Sequence, residues 1–233
     1  MLSELLTGFL FLLGYFVVCA ASALLLRRFV PIPREVFRKI LHIIVLGSVF
    51  IFVYAFETWW VSAVVSLALM AIIFPILAVA ERMSCYSELL IERKRGEIKR
   101  STVVVFAMFA ALIGVCWGWL GEKYLVIASV LAWGLGDAAA ALVGKRFGRH
   151  YIQGRLVEGR KSLEGTLAMF AVSLCAVLGV LLANIAVPWY AYAPISALTA
   201  GVCAVVELYT RNGMDTLTCP FAAAAILIPL LHW

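Results

Sequence analysis

The sequence predicts an all-α, polytopic membrane helix bundle of about seven to eight transmembrane helices, and three observations carry that prediction. Apolar runs of spanning length recur from one end of the chain to the other. Hydrophobic residues make up 65% of the chain and charged residues only 14%, a balance outside the range of ordinary soluble domains. Every lysine and arginine except Lys123 falls in alternate connections between the runs, the distribution left when cations are retained on the cytoplasmic side.

A helix needs roughly 20 apolar residues to cross the hydrocarbon core. Runs near 4–26, 40–56, 59–80, 102–120, 124–143, 166–187, 191–208 and 219–231 predict eight spans. The first ends in small residues, "CAASA" at 19–23, which invite reading it as a cleaved leader. Glu4 precedes the apolar core, however, and Arg27 and Arg28 follow it, the order of a retained anchor. The second and last runs are short, and the last is read as tilted, re-entrant or half-crossing. No soluble domain fits between the runs, so the expectation is one transmembrane domain over 1–233, with catalytic elements mostly in 34–43 and 93–220.

The basic connections are 27–39, 81–101, 144–165 and the stretch near 209–218. Placing them in the cytoplasm puts both termini on the opposite side. Trp59, Trp60, Trp117, Trp119, Trp189, Tyr190 and Tyr192 then gather near the outer span ends as an interfacial belt. The net charge of +6 would point to nucleic acid in a soluble protein, but here topology and anionic lipid explain it, and no nucleic-acid partner is expected. Cys19, Cys85, Cys116, Cys175, Cys203 and Cys219 show no metal-binding spacing and read as small core residues. No pair of matching interrupted halves marks a transporter repeat.

Polar chemistry concentrates at the cytoplasmic ends. Asp137 lies inside the fifth run, where a charged acid near the bilayer centre costs roughly 2.5–3.5 kcal/mol on insertion scales. Such a residue is paired, hydrated or cation-bound; the plainest alternative is a structural ion pair with an arginine. Gly134 and Gly136 precede it, and Gly144 and Gly148 follow at a spacing that suits either close backbone approach or helix packing. Next comes "GRLVEGRKSLEGT", in which Gly154, Gly159, Lys161 and Ser162 miss the phosphate-loop pattern by one residue, Arg160. Clustered cations, a hydroxyl and glycine-exposed amides still suit phosphate oxygens, and "KSLEGT" opens the sixth span, where a helix amino end favours an anion. Glu164 is read as holding Lys161 in place or helping to bind metal. Glu207, at the end of the seventh run, is a metal ligand or the partner of an arginine. Arg38, Lys39 and His42 share a helix face at the start of the second run, where His42 is either an interfacial histidine or an acceptor-orienting base.

These stretches resemble one family. "GDAAAALVGKRFGRH" followed by "GRKSLEGT" is similar to the polyprenol kinase family, which includes dolichol kinase, phytol kinase and CTP-dependent diacylglycerol kinase and is related to CDP-diacylglycerol synthases. "RKILHI" at 38–43, "RKRGEIKRST" at 93–102 and "ELYTRNGMDTLTCP" at 207–220 resemble further elements of it. The likeness runs from about residue 34 to the end, and departs at Thr216, where the family usually has Asn after the acid. It implies Mg²⁺-dependent transfer of the γ-phosphoryl of CTP to the hydroxyl of a membrane lipid alcohol, with Asp137, His42 and Lys161 catalytic. Phosphoryl transfer asks for a metal, cations for the triphosphate and an in-line acceptor. Asp137 and Asp215, with Glu207, are the candidate Mg²⁺ ligands. Arg38, Lys39, Gly136, Lys145, Arg160, Ser162, Glu164 and Gly165 join Lys161 as candidate nucleotide and phosphate contacts. Two other activities stay open: formation of a CDP-lipid by a cytidylyltransferase, and ion-coupled transport through the intramembrane acids.

Overall fold

With no water in a bilayer to satisfy the peptide groups, an apolar run of this length closes its hydrogen bonds within itself and becomes a helix. The computed structural model follows that rule over the residues it describes: 2–82, 96–154, 157, 159–185, 187–211 and 213–231. Cys85, Arg93, Lys94, Arg95 and Arg155 lie outside the described residues. Among the described residues there are eight α-helices: α1 (Leu2–Phe29), α2 (Arg34–Tyr54), α3 (Trp59–Ala80), α4 (Glu97–Leu112), α5 (Lys123–Phe147), α6 (Leu163–Asn184), α7 (Trp189–Tyr209) and α8 (Asp215–Leu231). Between α4 and α5 the chain winds as a π-helix over Ile113–Trp119.

Seven of the helices are long and apolar enough to cross a membrane, and α8 is a shorter apolar helix. The second run, which looked short from hydropathy, is a full helix of 21 residues. It starts earlier than its apolar core, so Arg34, Arg38 and Lys39 are helical and not in a connection. Likewise Glu97, Lys99 and Arg100 belong to the first turns of α4, and Asp215 opens α8, where its charge suits the positive end of the helix.

The chain forms two compact units, Met1–Gly114 and Val115–Trp233. In the first, α1 packs on α2 and α3 on α4. Its core is aromatic: the Phe52 and Phe106 rings meet edge to face at 6.3 Å, and Phe52 and Phe109 lie 5.6 Å apart. Buried hydroxyls are satisfied on backbone, Ser62 donating to the Phe52 carbonyl at 2.7 Å and Ser66 to that of Phe106 at 2.8 Å. Near the amino end, the Glu4 carboxylate accepts the Glu57 and Thr58 N–H groups, capping α3 from a different helix.

In the second unit four helices pack in a closed cycle, α5 on α6, α6 on α7, α7 on α8, and α8 back on α5. Small residues permit it. Gly136 lies against Ser173 and Met169 of α6, and the Ser173 hydroxyl donates to the Ala132 carbonyl at 2.6 Å. Close backbone approach of this kind drives association in lipid, where apolar contact alone gives little preference. On the other side of the cycle, the Cys203 and Cys219 thiols each face the other's carbonyl, at 3.7 and 3.8 Å.

Candidate active site

Both ends of the connection from α5 to α6 are tied down. Helix α5 closes with the Gly148 N–H on the Gly144 carbonyl. A short antiparallel ladder then forms, β1 (Tyr151–Ile152) against β2 (Lys161–Ser162), pairing Tyr151 with Ser162 and Ile152 with Lys161. This two-residue ladder is not the buried strand of a phosphate-loop fold, in keeping with the broken motif. Ser162 is the N-cap of α6: its hydroxyl accepts the Gly165 N–H at 3.2 Å, and the Leu163 N–H is taken by the His150 carbonyl at 2.9 Å. Two of the helix's leading donors are therefore already engaged.

Three glycines make room for that cap. A Cβ on Gly144, Gly148 or Gly165 would stand 3.1, 2.9 or 3.3 Å from the Ser162 oxygen. Gly165 and Gly136 thus sit at the α5–α6 contact, and Ser162, 3% exposed, is a buried cap.

Lys161 leaves the ladder in the other direction. Its ammonium donates to the Glu207 carboxylate at 2.8 Å and to the Glu207 main-chain carbonyl. Glu207 lies near the carboxyl end of α7, where a cation also meets the negative end of the helix. Its partner is this lysine and not an arginine. Glu164 does not hold Lys161; its carboxylate accepts the His150 N–H and pairs with the His150 ring at 2.8 Å. His150 carries no spacing signal in the sequence, being a lone histidine in a basic connection. Lys145 and Arg160 are exposed, and the Arg160 guanidinium lies 5.9 Å from the centre of the Tyr151 ring.

The three acids stand on three helices, Asp137 on α5, Glu207 on α7 and Asp215 on α8. Asp215 and Glu207, followed by Asp137, lie close enough to the buried Cys219 thiol for their charges to act on it. Asp137 and Asp215 are half-buried, and Thr216, beside the latter, is 8% exposed. Among the described residues no three His, Cys, Asp or Glu side chains stand together as a ready metal cage. That suits Mg²⁺, which takes one or two carboxylates and completes its shell with phosphate and water. Hard oxygen donors on α5 and α8 are the kind of ligand that a divalent cation arriving with a polyphosphate takes.

Arg38, Lys39 and His42 stand on α2 of the first unit. Arg38 is engaged by Glu35, one turn earlier, and by Glu97 of α4 at 3.3 Å. Lys39 is 5% exposed, and His42 is half-buried.

Among curated proteins the chain is similar to a phytol kinase from Synechocystis sp., with 30% identity over 214 residues, 88% of this chain and 83% of that protein. No family model and no solved structure matches it. A likeness of that extent, in a chain of apolar helices, decides the assignment: the chain belongs to the polyprenol kinase family, membrane enzymes that include phytol kinase.

Proposed function

We propose that this protein transfers the γ-phosphoryl group of CTP to the hydroxyl of a membrane lipid alcohol, an isoprenoid alcohol of the phytol or polyprenol type or diacylglycerol, with Mg²⁺. The observation that carries the reading is the Lys161–Glu207 pair at 2.8 Å, with Asp137 and Asp215, like Glu207, within range for their charges to act on the Cys219 thiol. Acids for a divalent ion and a cation for phosphate then share one end of one bundle. Kinship to a phytol kinase supports the acceptor class. The cation distribution supports a site on the cytoplasmic side.

Asp137 and Asp215 would hold the metal, which when bound neutralises charge on the triphosphate. Lys161, Arg160 and Lys145 take phosphate oxygens, and Ser162, Gly144, Gly148 and Gly165 fix the segment that presents Lys161. For Arg38 and Lys39 the proposed role is the phosphate contact that the family element carries, and for His42 it is orienting or deprotonating the acceptor hydroxyl. In the transfer, the lipid oxygen bonds to the γ-phosphorus as the bond to the β–γ bridging oxygen breaks, CDP departs with that oxygen, and the hydroxyl proton passes to the base.

The test is purified protein in detergent with Mg²⁺, γ-labelled CTP or ATP, and phytol, farnesol, geranylgeraniol, a long polyprenol and diacylglycerol in parallel. Label in an extractable lipid with CTP is the expected result. Label released as pyrophosphate on adding phosphatidate would replace the reading by a cytidylyltransferase, and no turnover with any pair would overturn it.

A further inference from the structure

Glu207 holds Lys161 and lies within electrostatic range of the Cys219 thiol. On one side its carboxylate and carbonyl receive two of the three N–H donors of the Lys161 ammonium. On the other, its charge reaches Cys219 together with those of Asp137 and Asp215. Both members of the pair are largely withdrawn from solvent, the side chains being 19% and 14% exposed. A lysine so bound brings no net charge to a phosphate, because the adjacent carboxylate cancels it. It is nevertheless fixed in place, in β2 between Arg160 and the cap residue Ser162, and it keeps the Glu207 carbonyl as an acceptor whatever happens to the carboxylate.

We propose that Glu207 is a positioning residue whose carboxylate stands in for a phosphate, holding the Lys161 ammonium until a nucleoside triphosphate arrives and then yielding it to a phosphate oxygen. The carbonyl of Glu207 retains Nζ during the exchange, so the lysine changes one partner without leaving the site. This inference rests on the phosphoryl-transfer reading above. Its consequence has a sign: the carboxylate competes with phosphate for the ammonium, so weakening the carboxylate strengthens nucleotide binding. A purely structural ion pair gives the opposite sign, since removing one partner of a buried pair strands the other and disorders the segment.

The experiment compares the full-length wild type with Glu207→Gln, Glu207→Asp, Lys161→Met and the Lys161→Met/Glu207→Gln double variant. CTP, with ATP in parallel, is titrated to give KM and kcat separately, and nucleotide-induced shifts of the unfolding midpoint are measured without lipid. Glu207→Gln keeps an acceptor for the ammonium and loses the charge. It is expected to lower the nucleotide KM threefold or more, and to lower the nucleotide concentration needed for the midpoint shift in parallel. Glu207→Asp, which retracts the charge by one methylene, should fall between Glu207→Gln and wild type. Lys161→Met should raise KM tenfold or more, and the double variant should match it. An unchanged or raised KM in both Glu207 variants, or a double variant that differs from Lys161→Met, overturns the exchange. A wild-type protein that transfers no phosphoryl group overturns the kinase reading and this proposal together.

Discussion

Gly144 of α5 and Gly165 of α6 meet backbone to backbone: a Cβ on Gly165 would stand 3.3 Å from the Gly144 Cα and 2.9 Å from the Ala140 carbonyl oxygen. The same contact surrounds the Ser162 cap and so fixes the start of α6 next to Lys161. Helix carbonyls do not step aside as a flexible side chain does. Gly165→Ala is therefore expected to destabilise by about 1–3 kcal/mol, the usual range for overpacking, and to lower kcat through displacement of the cap. Gly179, with nothing within 4 Å of its would-be Cβ, is the control; alanine there should be neutral or stabilising by up to about 1 kcal/mol. Thermal unfolding in one detergent compares them, and a Gly165→Ala midpoint at or above wild type would contradict the packing argument.

Farther along the same helix pair, the Ser173 hydroxyl and the Ala132 carbonyl supply a hydrogen bond at 2.6 Å between buried atoms. Interhelical bonds of this type in membranes average about 0.6 kcal/mol, because the separated helices find other partners. Ser173→Ala should accordingly lower the unfolding midpoint less than Gly165→Ala and leave the KM values for both substrates unchanged. A loss larger than that of Gly165→Ala would mean that the bond, and not close backbone approach, holds α5 to α6.

The helices were legible in the sequence because hydropathy records the physical demand of the bilayer directly: an apolar run of sufficient length has no other way to satisfy its backbone. Helix starts were less so. Arg34, Arg38 and Lys39 precede an apolar run yet already belong to its helix, since lysine and arginine have good helix propensity. Asp137 and the segment at Lys161 were legible as chemistry, because a carboxylate in an apolar run and a cation beside glycines are both unusual. Their partners were not. Lys161 looks placed to pair with Glu164 three residues on, a geometry that holds only when both residues are helical. Lys161 is extended in β2, and it turns to Glu207, 46 residues away, leaving Glu164 to His150. Ser162 is legible as a hydroxyl among cations, whereas its place as the N-cap of α6 is not, because it depends on where the helix starts.

The first unit offers a test independent of the site. Glu4 accepts the Glu57 N–H at 3.0 Å and the Thr58 N–H at 2.9 Å, so a side chain of α1 satisfies the N-cap N–H of α3 and the one before it. Glu4→Ala strands both donors and should cost about 1 kcal/mol, as the loss of a cap does. Glu4→Gln keeps an acceptor oxygen and should lie closer to wild type. Equal midpoints for Glu4→Ala and wild type would show that water replaces the carboxylate at this end of α3.

The proposed metal role divides the three acids. Asp137 and Asp215 stand on α5 and α8, while Glu207 is committed to Lys161, so asparagine at either aspartate removes a hard ligand and asparagine's neutral oxygen replaces it poorly. Stabilisation of transferring phosphate by a metal amounts to several kcal/mol, which corresponds to at least about 100-fold in rate. Asp137→Asn and Asp215→Asn should each lower kcat by that much while the protein still inserts and elutes as wild type. Cys219→Ala, which deletes the thiol that all three charges reach, should change kcat by about twofold or less, since a buried neutral thiol is a poor ligand for a hard cation. Label transfer to lipid at saturating nucleotide measures all three. A fully active Asp137→Asn would remove Asp137 from the metal set. An inactive but folded Cys219→Ala would show that the thiol has a part in the reaction.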